Sequence, residues 1–428
     1  MTMKNKIRIS TLVAILLMSV ALLPVANAQE ELSNMSDTSD VVSIEQAEKV
    51  ASYSIKEISE SISVFSGWKN ATVKLSTVYY DLNGNRSAYS FNVIENKQQT
   101  GYIFISARKD NYPVLEFSKG KIPNEILKLR TLSKSLVEAR VNKIKLESAD
   151  KEELTIGEMK PLYLGPTFYY AEYTLTDKKG KTKEKVIVDL PFSTVVDFNK
   201  SNVSVSVDEN DSYFNNTSLQ QQQEIRKQEA NAKWESIEER MTLETIPEGY
   251  TSTKSIGYIY DVPNYEQYDE CPGCSPTASA MVLGYWDANG YPNFPLGLSL
   301  VQELANAMGT SNWPNPPGGT WPWDIDDGIE EVCEDHGYTN FDATNDYFLS
   351  WSEVTTEVDA DRPFVISMLN GGAGSGHSQE YGDHSVTCIG YSDGSQDYVF
   401  LHDTWDSEDD HYIAFGSWDG AMATWVRP

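Results

Sequence analysis

Two cysteines that precede a helix-like run are the residues of this chain most suited to covalent chemistry. They are Cys271 and Cys274, in the stretch "DECPGCSPTASAMVLGYWDANGYP" of residues 269–292. Such a pair can be a redox couple, half of a zinc site, a disulfide-forming cysteine beside a nucleophile, or two inert thiols. Residues elsewhere in the chain must decide among these uses.

Cys274 is better placed than Cys271 to act as a nucleophile. Pro276 and Thr277 start a run in which apolar residues fall on one face, which predicts a helix from about Cys274 to about Gly290. A thiol at a helix N-terminus lies near the positive end of the helix dipole and near unpaired amides, and both lower its pKa. Cys271 precedes that position and lacks this activation.

A thiol nucleophile also requires a base, and His384 is the candidate. The stretch "HSVTCIGYSDGSQDYVFLHDTW", which starts at His384, predicts a β-hairpin with Asp393 and Gly394 at its tip. In a symmetric hairpin of this kind His384 directly faces Asp403, with Cβ atoms about 4.5–5.5 Å apart. A carboxylate in that place would hold the imidazole tautomer and stabilise the imidazolium.

Three segments taken together resemble the papain-like cysteine peptidases related to the bacteriocin-processing, double-glycine-leader peptidases. The segments are "VPNYEQYDECPGCSPTASAMVLGYW", "GDHSVTCIGY" and "LHDTW", in that order along about 170 residues. The resemblance implies that Cys274 is the nucleophile, His384 the base and Asp403 the orienting carboxylate. It also implies that Gln267, seven residues before Cys274, donates a hydrogen bond to a developing oxyanion.

The sequence departs from that family pattern at two positions. Ser275 stands where glycine is usual, and the additional Cys271 keeps other uses of the cysteine pair open. A redox pair normally follows a strand, which "NYEQYDE" does not predict, and a zinc site needs further ligands, for which Cys333 and His336 are one arrangement. The favoured pairing is a disulfide between Cys271 and Cys333, with Cys388 buried in its strand.

The N-terminal half resembles the propeptide of the streptopain family in the stretch "TGYIFISARKDNYPVLEFSKGKIP". This resemblance implies an inhibitory or chaperoning pro-domain followed by a cleavable linker. A permanent accessory module without an inhibitory role remains the alternative. The own N-terminal domain is therefore expected to be a partner of the peptidase domain, beside a peptide or protein substrate.

Hydrophobic periodicity predicts the elements that position these residues. A helix is expected from about 43 to 62, two strands around the turn at 83–85, and a strand, turn and strand over 101–120. A second helical run begins at 122, and residues 162–207 return to strands. We therefore expect an α+β domain over about 43–207.

Four segments follow from these patterns. They are a signal peptide at 1–28, an α+β pro-domain or accessory domain at 29–207, a polar linker at 208–255, and a peptidase domain at 256–428. The linker is expected to contain an exposed helix near 217–241. The overall fold class is α+β. The peptidase domain is expected to be papain-like, with an N-terminal helix lobe and an antiparallel sheet lobe, and to follow a separate pro-domain.

The first 28 residues predict export. Lys4, Lys6 and Arg8 form a positive start, an apolar run follows over residues 9–25, and the small residues of 26–28 suit cleavage. An uncleaved membrane anchor is the alternative. The mature protein is expected to be secreted, with no attachment to the membrane once the signal is removed.

Charge is distributed unevenly along the chain, whose formal net charge is −29. Residues 251–428 carry three basic against 29 acidic side chains, so this part should repel the phosphates of nucleic acids. No cofactor is expected. The acidic residues Asp406, Glu408, Asp409 and Asp410 could bind a structural cation such as calcium, although a solvated turn is the default interpretation.

These expectations describe a secreted cysteine peptidase that is made as a zymogen. Two other classes stay open. One is a non-proteolytic relative with the same fold, such as an amidase or an acyltransferase. The other is a surface binding module with an inactive triad.

Overall fold

The computed structural model describes residues 40–122, 126–147, 153–191, 193–196, 217–243, 255–268, 273–310, 319–370 and 382–428. The α-helices within these ranges are α1 Ile44–Ser61, α2 Ile126–Glu147, α3 Thr217–Thr242, α4 Cys274–Ala288, α5 Leu298–Ala307, α6 Ile325–Asp335 and α7 Trp351–Asp359. The strands are β1 Thr72–Tyr80, β2 Arg86–Glu95, β3 Gln98–Ser106, β4 Val114–Lys119, β5 Thr155–Ile156, β6 Lys160–Gly165, β7 Phe168–Thr176, β8 Thr182–Asp189, β9 Thr194–Val196, β10 Ile256–Tyr258, β11 Asp342–Asp346, β12 Phe364–Asn370, β13 Gly382–Ser392, β14 Tyr398–His402, β15 His411–Ala414 and β16 Gly420–Arg427. This mixture of helices and strands agrees with the α+β class and with a papain-like peptidase domain.

All sixteen strands of the described ranges belong to one sheet. Its order is β11-β16-β12-β13-β14-β15-β4-β3-β2-β1-β6-β7-β8-β9, with β10 beside β13 and β5 beside β7. The N-terminal and C-terminal halves meet where β4 pairs antiparallel with β15, in the register His411 opposite Ser118 and Ile413 opposite Glu116. Residues Val42–Pro428 form a single compact unit. A pro-domain separate from the peptidase domain is therefore not confirmed.

The first helix follows directly from its sequence. Ser43 caps it by accepting a hydrogen bond from the main-chain N of Gln46 at 3.1 Å, which satisfies one of the donors left free at a helix start. Val50, Ile55 and Ile58, on one face, are buried. The helix predicted over about 43–62 is confirmed, as are the strands predicted on either side of residues 83–85 and within 101–120.

Helix α3 differs from the exposed helix predicted near 217–241. The helix is present, but Trp234 is completely buried and its Nε1 donates to the main-chain oxygen of Asn111 at 2.8 Å. Ala230 and Ile237, one turn away on either side, are buried as well. The Gln-rich composition of the helix led to the prediction of an exposed helix. Three apolar residues at helical spacing are nevertheless enough to hold one helix face against a core.

Helix α4 is buried almost all round. Every residue from Cys274 to Tyr285 is buried, as expected for a helix that is apolar or small on all its faces. The side chain of Thr387 on β13 donates to the main-chain oxygen of Ala278 at 2.9 Å, so α4 packs directly on β13. The predicted helix from about Cys274 to about Gly290 is confirmed.

No helix in the described ranges has both the length and the hydropathy needed to cross a bilayer. The signal peptide predicted at 1–28 lies outside the described residues.

Candidate active site

The N-terminus of α4 carries Cys274, whose side chain is a buried thiol. The preceding Gly273 donates its main-chain N–H to Oε1 of Gln267 at 3.0 Å, so Gln267 satisfies a donor at the helix start. Gln267 also donates its own main-chain N–H to the oxygen of Thr404 at 3.0 Å. This glutamine therefore connects the start of the nucleophile helix to the loop that follows β14.

Hydrogen bonds join the neighbours of Cys274 and His384. The Oγ atoms of Ser275 and Ser385 are 2.8 Å apart, and Ser385 Oγ lies 2.9 Å from Ser367 Oγ on the adjacent strand β12. Successive side chains of a strand point to opposite faces, so Ser385 points toward α4 and His384 points away from it. The structure thus brings the residues next to Cys274 and His384 into side-chain contact.

His384 is enclosed on several sides and is 1% exposed. Its Nε2 lies 2.8 Å from the main-chain oxygen of Asp403, while Nδ1 is buried without a hydrogen-bond partner. The ring stacks on Trp405 at 4.0 Å between centroids, and Phe168 from the N-terminal half contacts it edge-on at 6.1 Å. Burial lowers the pKa of His384 to about 3, which keeps the imidazole neutral.

The predicted hairpin register, with His384 facing Asp403, is wrong. The strands pair with Thr387 opposite His402, and the register shifts at a bulge between Cys388 and Gly390. The connection is the five-residue segment 393–397 rather than a two-residue turn. If the pairing of Thr387 with His402 is continued along both chain segments, residue 405 lies opposite His384. This agrees with the stacking of Trp405 on the imidazole.

The structure brings Asp403 to His384 by its main chain rather than by its carboxylate. Oδ1 of Asp403 accepts the main-chain N–H of Trp405 at 2.9 Å, and Oδ2 lies 3.2 Å from Nε2 of His411. Asp403 is 1% exposed, and its burial raises the pKa of the carboxyl to about 6. Thr404 follows with a φ of 67°, a left-handed conformation that ends the strand at this point.

His411 is the residue of this site that the sequence analysis missed. Its Nε2 lies 3.1 Å from Oδ2 of Asp406, and its Nδ1 lies 3.1 Å from the hydroxyl of Tyr102 in the N-terminal half. Burial lowers the pKa of His411, but the carboxylates of Asp403 and Asp406 outweigh burial and raise it to about 9. The sequence feature that could have indicated His411 is its position directly after an acidic run. Its contact with Asp403 could not be predicted, because it forms only in the folded chain.

The remaining described histidines have other partners. Nδ1 of His402 lies 3.0 Å from the main-chain oxygen of Pro263, and its Nε2 lies 3.2 Å from Asp410. His336 pairs with Glu303 at 2.7 Å. Contacts of this kind are typical of histidines with a structural role.

The predicted disulfide between Cys271 and Cys333 is not present, because Cys333 is a buried free thiol on α6. Cys388 is likewise a buried free thiol on β13, as predicted. Burial raises the pKa of both Cys333 and Cys388 to about 12, so neither is suited to act as a thiolate. Cys271 lies outside the described residues.

Comparison with known protein families gives a match over the segment that carries this site. Residues 259–425 match the model of the Peptidase_C39 like family, which is less than half of the chain but includes α4, β13 and β14. No curated protein sequence matches the chain. The match supports a relationship to cysteine peptidases of the C39 type.

Proposed function

We propose that this chain is a secreted cysteine peptidase that is produced as a latent precursor. The thiolate of Cys274 would attack the carbonyl carbon of a peptide bond, and His384 would transfer a proton to the leaving amine. Water, deprotonated by the same imidazole, would then hydrolyse the thioester and release the thiol. Gln267 and a main-chain amide would donate hydrogen bonds to the oxyanion, and Asp403 would orient His384.

One observation carries this proposal. Cys274 is the first residue of the buried helix α4, and His384 lies near the start of β13. The hydrogen bond between Ser275 and Ser385 holds the start of this helix against this strand. This arrangement lies inside the segment that matches the Peptidase_C39 like family. A helix N-terminus favours the thiolate form, and a neighbouring imidazole can complete the pair.

The contacts of the N-terminal half support latency. Phe168 packs against His384 and Tyr102 bonds to His411, whereas the Asp403 carboxylate faces His411 instead of His384. Trp405 and Phe168 enclose the imidazole of His384, and its Nε2 is bonded to the main-chain oxygen of Asp403, which would hold the ring in a latent arrangement. Activity would therefore require displacement of the N-terminal half, followed by a turn of the His384 side chain toward Cys274 and of the Asp403 carboxylate toward His384.

The test compares Cys274→Ala with the matched variant Cys388→Ala in the full chain, before and after an added protease has digested the N-terminal half. Digestion of a peptide library is followed by mass analysis of the products. We expect the processed Cys388→Ala protein to cut peptides and Cys274→Ala to lose at least about four orders of magnitude in turnover. Alkylation of Cys274 by iodoacetamide should be slow in the intact chain and fast after processing.

Three outcomes would contradict the proposal. Hydrolysis that survives Cys274→Ala would place the nucleophile elsewhere. Products that are deamidated or acylated rather than cut would indicate an amidase or an acyltransferase. A processed protein whose Cys274 resists alkylation and which cuts nothing would indicate a binding module with an inactive triad.

A further inference from the structure

Three potential metal ligands converge where the two halves of the sheet meet. Asp403, Asp406 and His411 each offer one ligand atom, and these three atoms lie within 4.8 Å of one another. Nε2 of His411 is 3.2 Å from Oδ2 of Asp403 and 3.1 Å from Oδ2 of Asp406. Asp403 and His411 are buried, and the Asp406 side chain is 34% exposed, which leaves an approach from solvent.

Each of the three side chains is fixed by a second hydrogen bond on its far side. Oδ1 of Asp403 accepts from the main-chain N–H of Trp405, and Oδ1 of Asp406 accepts from those of Glu408 and Asp409 at 3.0 and 3.1 Å. Nδ1 of His411 is held by the Tyr102 hydroxyl. Protein metal sites typically show this pattern, in which outer contacts hold one atom of each ligand and aim the other at the metal.

Hydrogen bonding alone leaves one buried atom of this cluster unsatisfied. Nε2 of His411 can carry a single hydrogen, and that hydrogen bonds to Oδ2 of Asp406. Oδ2 of Asp403 accepts no hydrogen bond, although Asp403 is 1% exposed. A buried carboxylate oxygen without a donor is costly, and a cation among the three atoms would satisfy it.

We propose that Asp403, Asp406 and His411 bind a divalent transition-metal cation, with Zn²⁺ as the best fit. Ligand atoms about 2.1 Å from Zn²⁺ at tetrahedral or octahedral angles lie about 3.0–3.4 Å from each other, which matches the two separations at His411. An imidazole nitrogen with two carboxylates suits Zn²⁺ better than Ca²⁺, which prefers oxygen ligands alone. Binding replaces the proton on Nε2, while Nδ1 keeps its hydrogen for Tyr102.

The position of this site gives the cation two consequences. Coordination of Asp403 keeps its carboxylate turned away from His384. The Tyr102 hydroxyl, from β3 in the N-terminal half, becomes part of the outer shell, so metal binding also strengthens the contact between the halves.

The test is titration calorimetry of ZnCl₂ into the full chain that carries Cys274→Ala, which removes both hydrolysis and a competing thiolate. We expect one Zn²⁺ per chain, with no displacement by excess CaCl₂. Asp406→Asn keeps the oxygen that accepts the two main-chain N–H groups and removes the ligand charge, so affinity should fall about 100-fold or more. Tyr102→Phe should reduce affinity about 10–100-fold, as expected for an outer-shell contact.

Glu408→Gln is the matched control, because it removes the same charge from the same loop at an exposed side chain. It should bind Zn²⁺ as the parent does, and the circular dichroism of Asp406→Asn without metal should match the parent. Equal affinity of Asp406→Asn and Glu408→Gln, or no saturable binding in the parent, would overturn the site and leave an ion pair with protonated His411. Equal competition by Ca²⁺ would overturn the assignment to a transition metal. Because hydrolysis plays no part in the measurement, neither result bears on the peptidase proposal.

Discussion

At the scale of single residues, identity and position along the chain were enough to select the candidate catalytic atoms but not their contacts. Cys274 was predicted at a helix start and lies there, because small and apolar residues after a proline specify a buried helix. His384 and Asp403 do meet, but through the main-chain oxygen of Asp403. Which group of Asp403 faces His384 depends on the positions of His411 and Trp405, which come from different parts of the fold.

A buried carboxyl near the same junction gives a prediction for the pH dependence of stability. Glu116 on β4 accepts hydrogen bonds from the main chain of Thr167 and from the Tyr169 hydroxyl. Burial nevertheless raises its pKa from 4.5 to about 7. Between these values the folded chain holds a proton that the unfolded chain has lost, so the group's contribution to the free energy of unfolding falls by about 3 kcal/mol as the pH rises from 4.5 to 7.

Glu116→Gln should remove that contribution, because an amide does not titrate. The measurement is the free energy of unfolding from urea titration at pH 5 and at pH 7.5. The decrease between the two pH values should be smaller in Glu116→Gln than in the parent, by about 3 kcal/mol. Glu408→Gln, at an exposed carboxylate, should leave the parent's dependence unchanged. A parent-like slope in Glu116→Gln would show that the Glu116 carboxyl is ionised across this range.

At the scale of elements, the sequence predicted which segments form helices and strands better than it predicted how the strands align. Alternation of apolar residues identified β13 and β14, but a symmetric two-residue turn gave the wrong register. The bulge next to Gly390 is a tertiary feature, since a Cβ at that residue would lie 2.7 Å from the main-chain oxygen of Gly257 on β10. The close approach of a third strand cannot be inferred from the hairpin's own residues.

A glycine in β3 gives a prediction of the same kind. A Cβ at Gly101 would lie 2.3 Å from the Trp68 ring and 2.5 Å from the main-chain oxygen of Ser118, and neither neighbour can move easily. Gly101→Ala should therefore destabilise the fold by about 2–4 kcal/mol through forced displacement of the core. The free energy of unfolding from urea titration measures this loss.

Gly67→Ala is the control, because its Cβ would meet only the mobile end of the Glu95 side chain. It should change the free energy of unfolding by less than about 1 kcal/mol. If Gly101→Ala were as stable as Gly67→Ala, the tight packing of Trp68 across β3 and β4 would be wrong.

At the scale of the whole molecule, the two halves are joined by a strand pairing and by an aromatic cluster. Phe117 on β4 stacks on Tyr412 of β15 at 5.1 Å between centroids, and Phe65 contacts Tyr412 at 4.9 Å. The sequence patterns predicted a linker at 208–255 between two domains, and such patterns carry no information about which strand edges will pair. Strand edges pair readily when both carry unsatisfied main-chain groups, and β4 and β15 satisfy each other here.

This continuity predicts that cutting the chain will not by itself separate the halves. A specific protease site inserted between Leu243 and Ser255 allows a single cut, after which the β4–β15 pairing and the aromatic cluster remain. Both fragments should elute together at the size of the intact chain in size-exclusion chromatography, and should separate in 6 M guanidinium chloride. Phe117→Ala should loosen this association, because it removes a ring that contacts Phe65, Tyr398 and Tyr412. Release of the C-terminal fragment under native conditions would instead mean that the pairing depends on the covalent connection, and that a single cut is sufficient for activation.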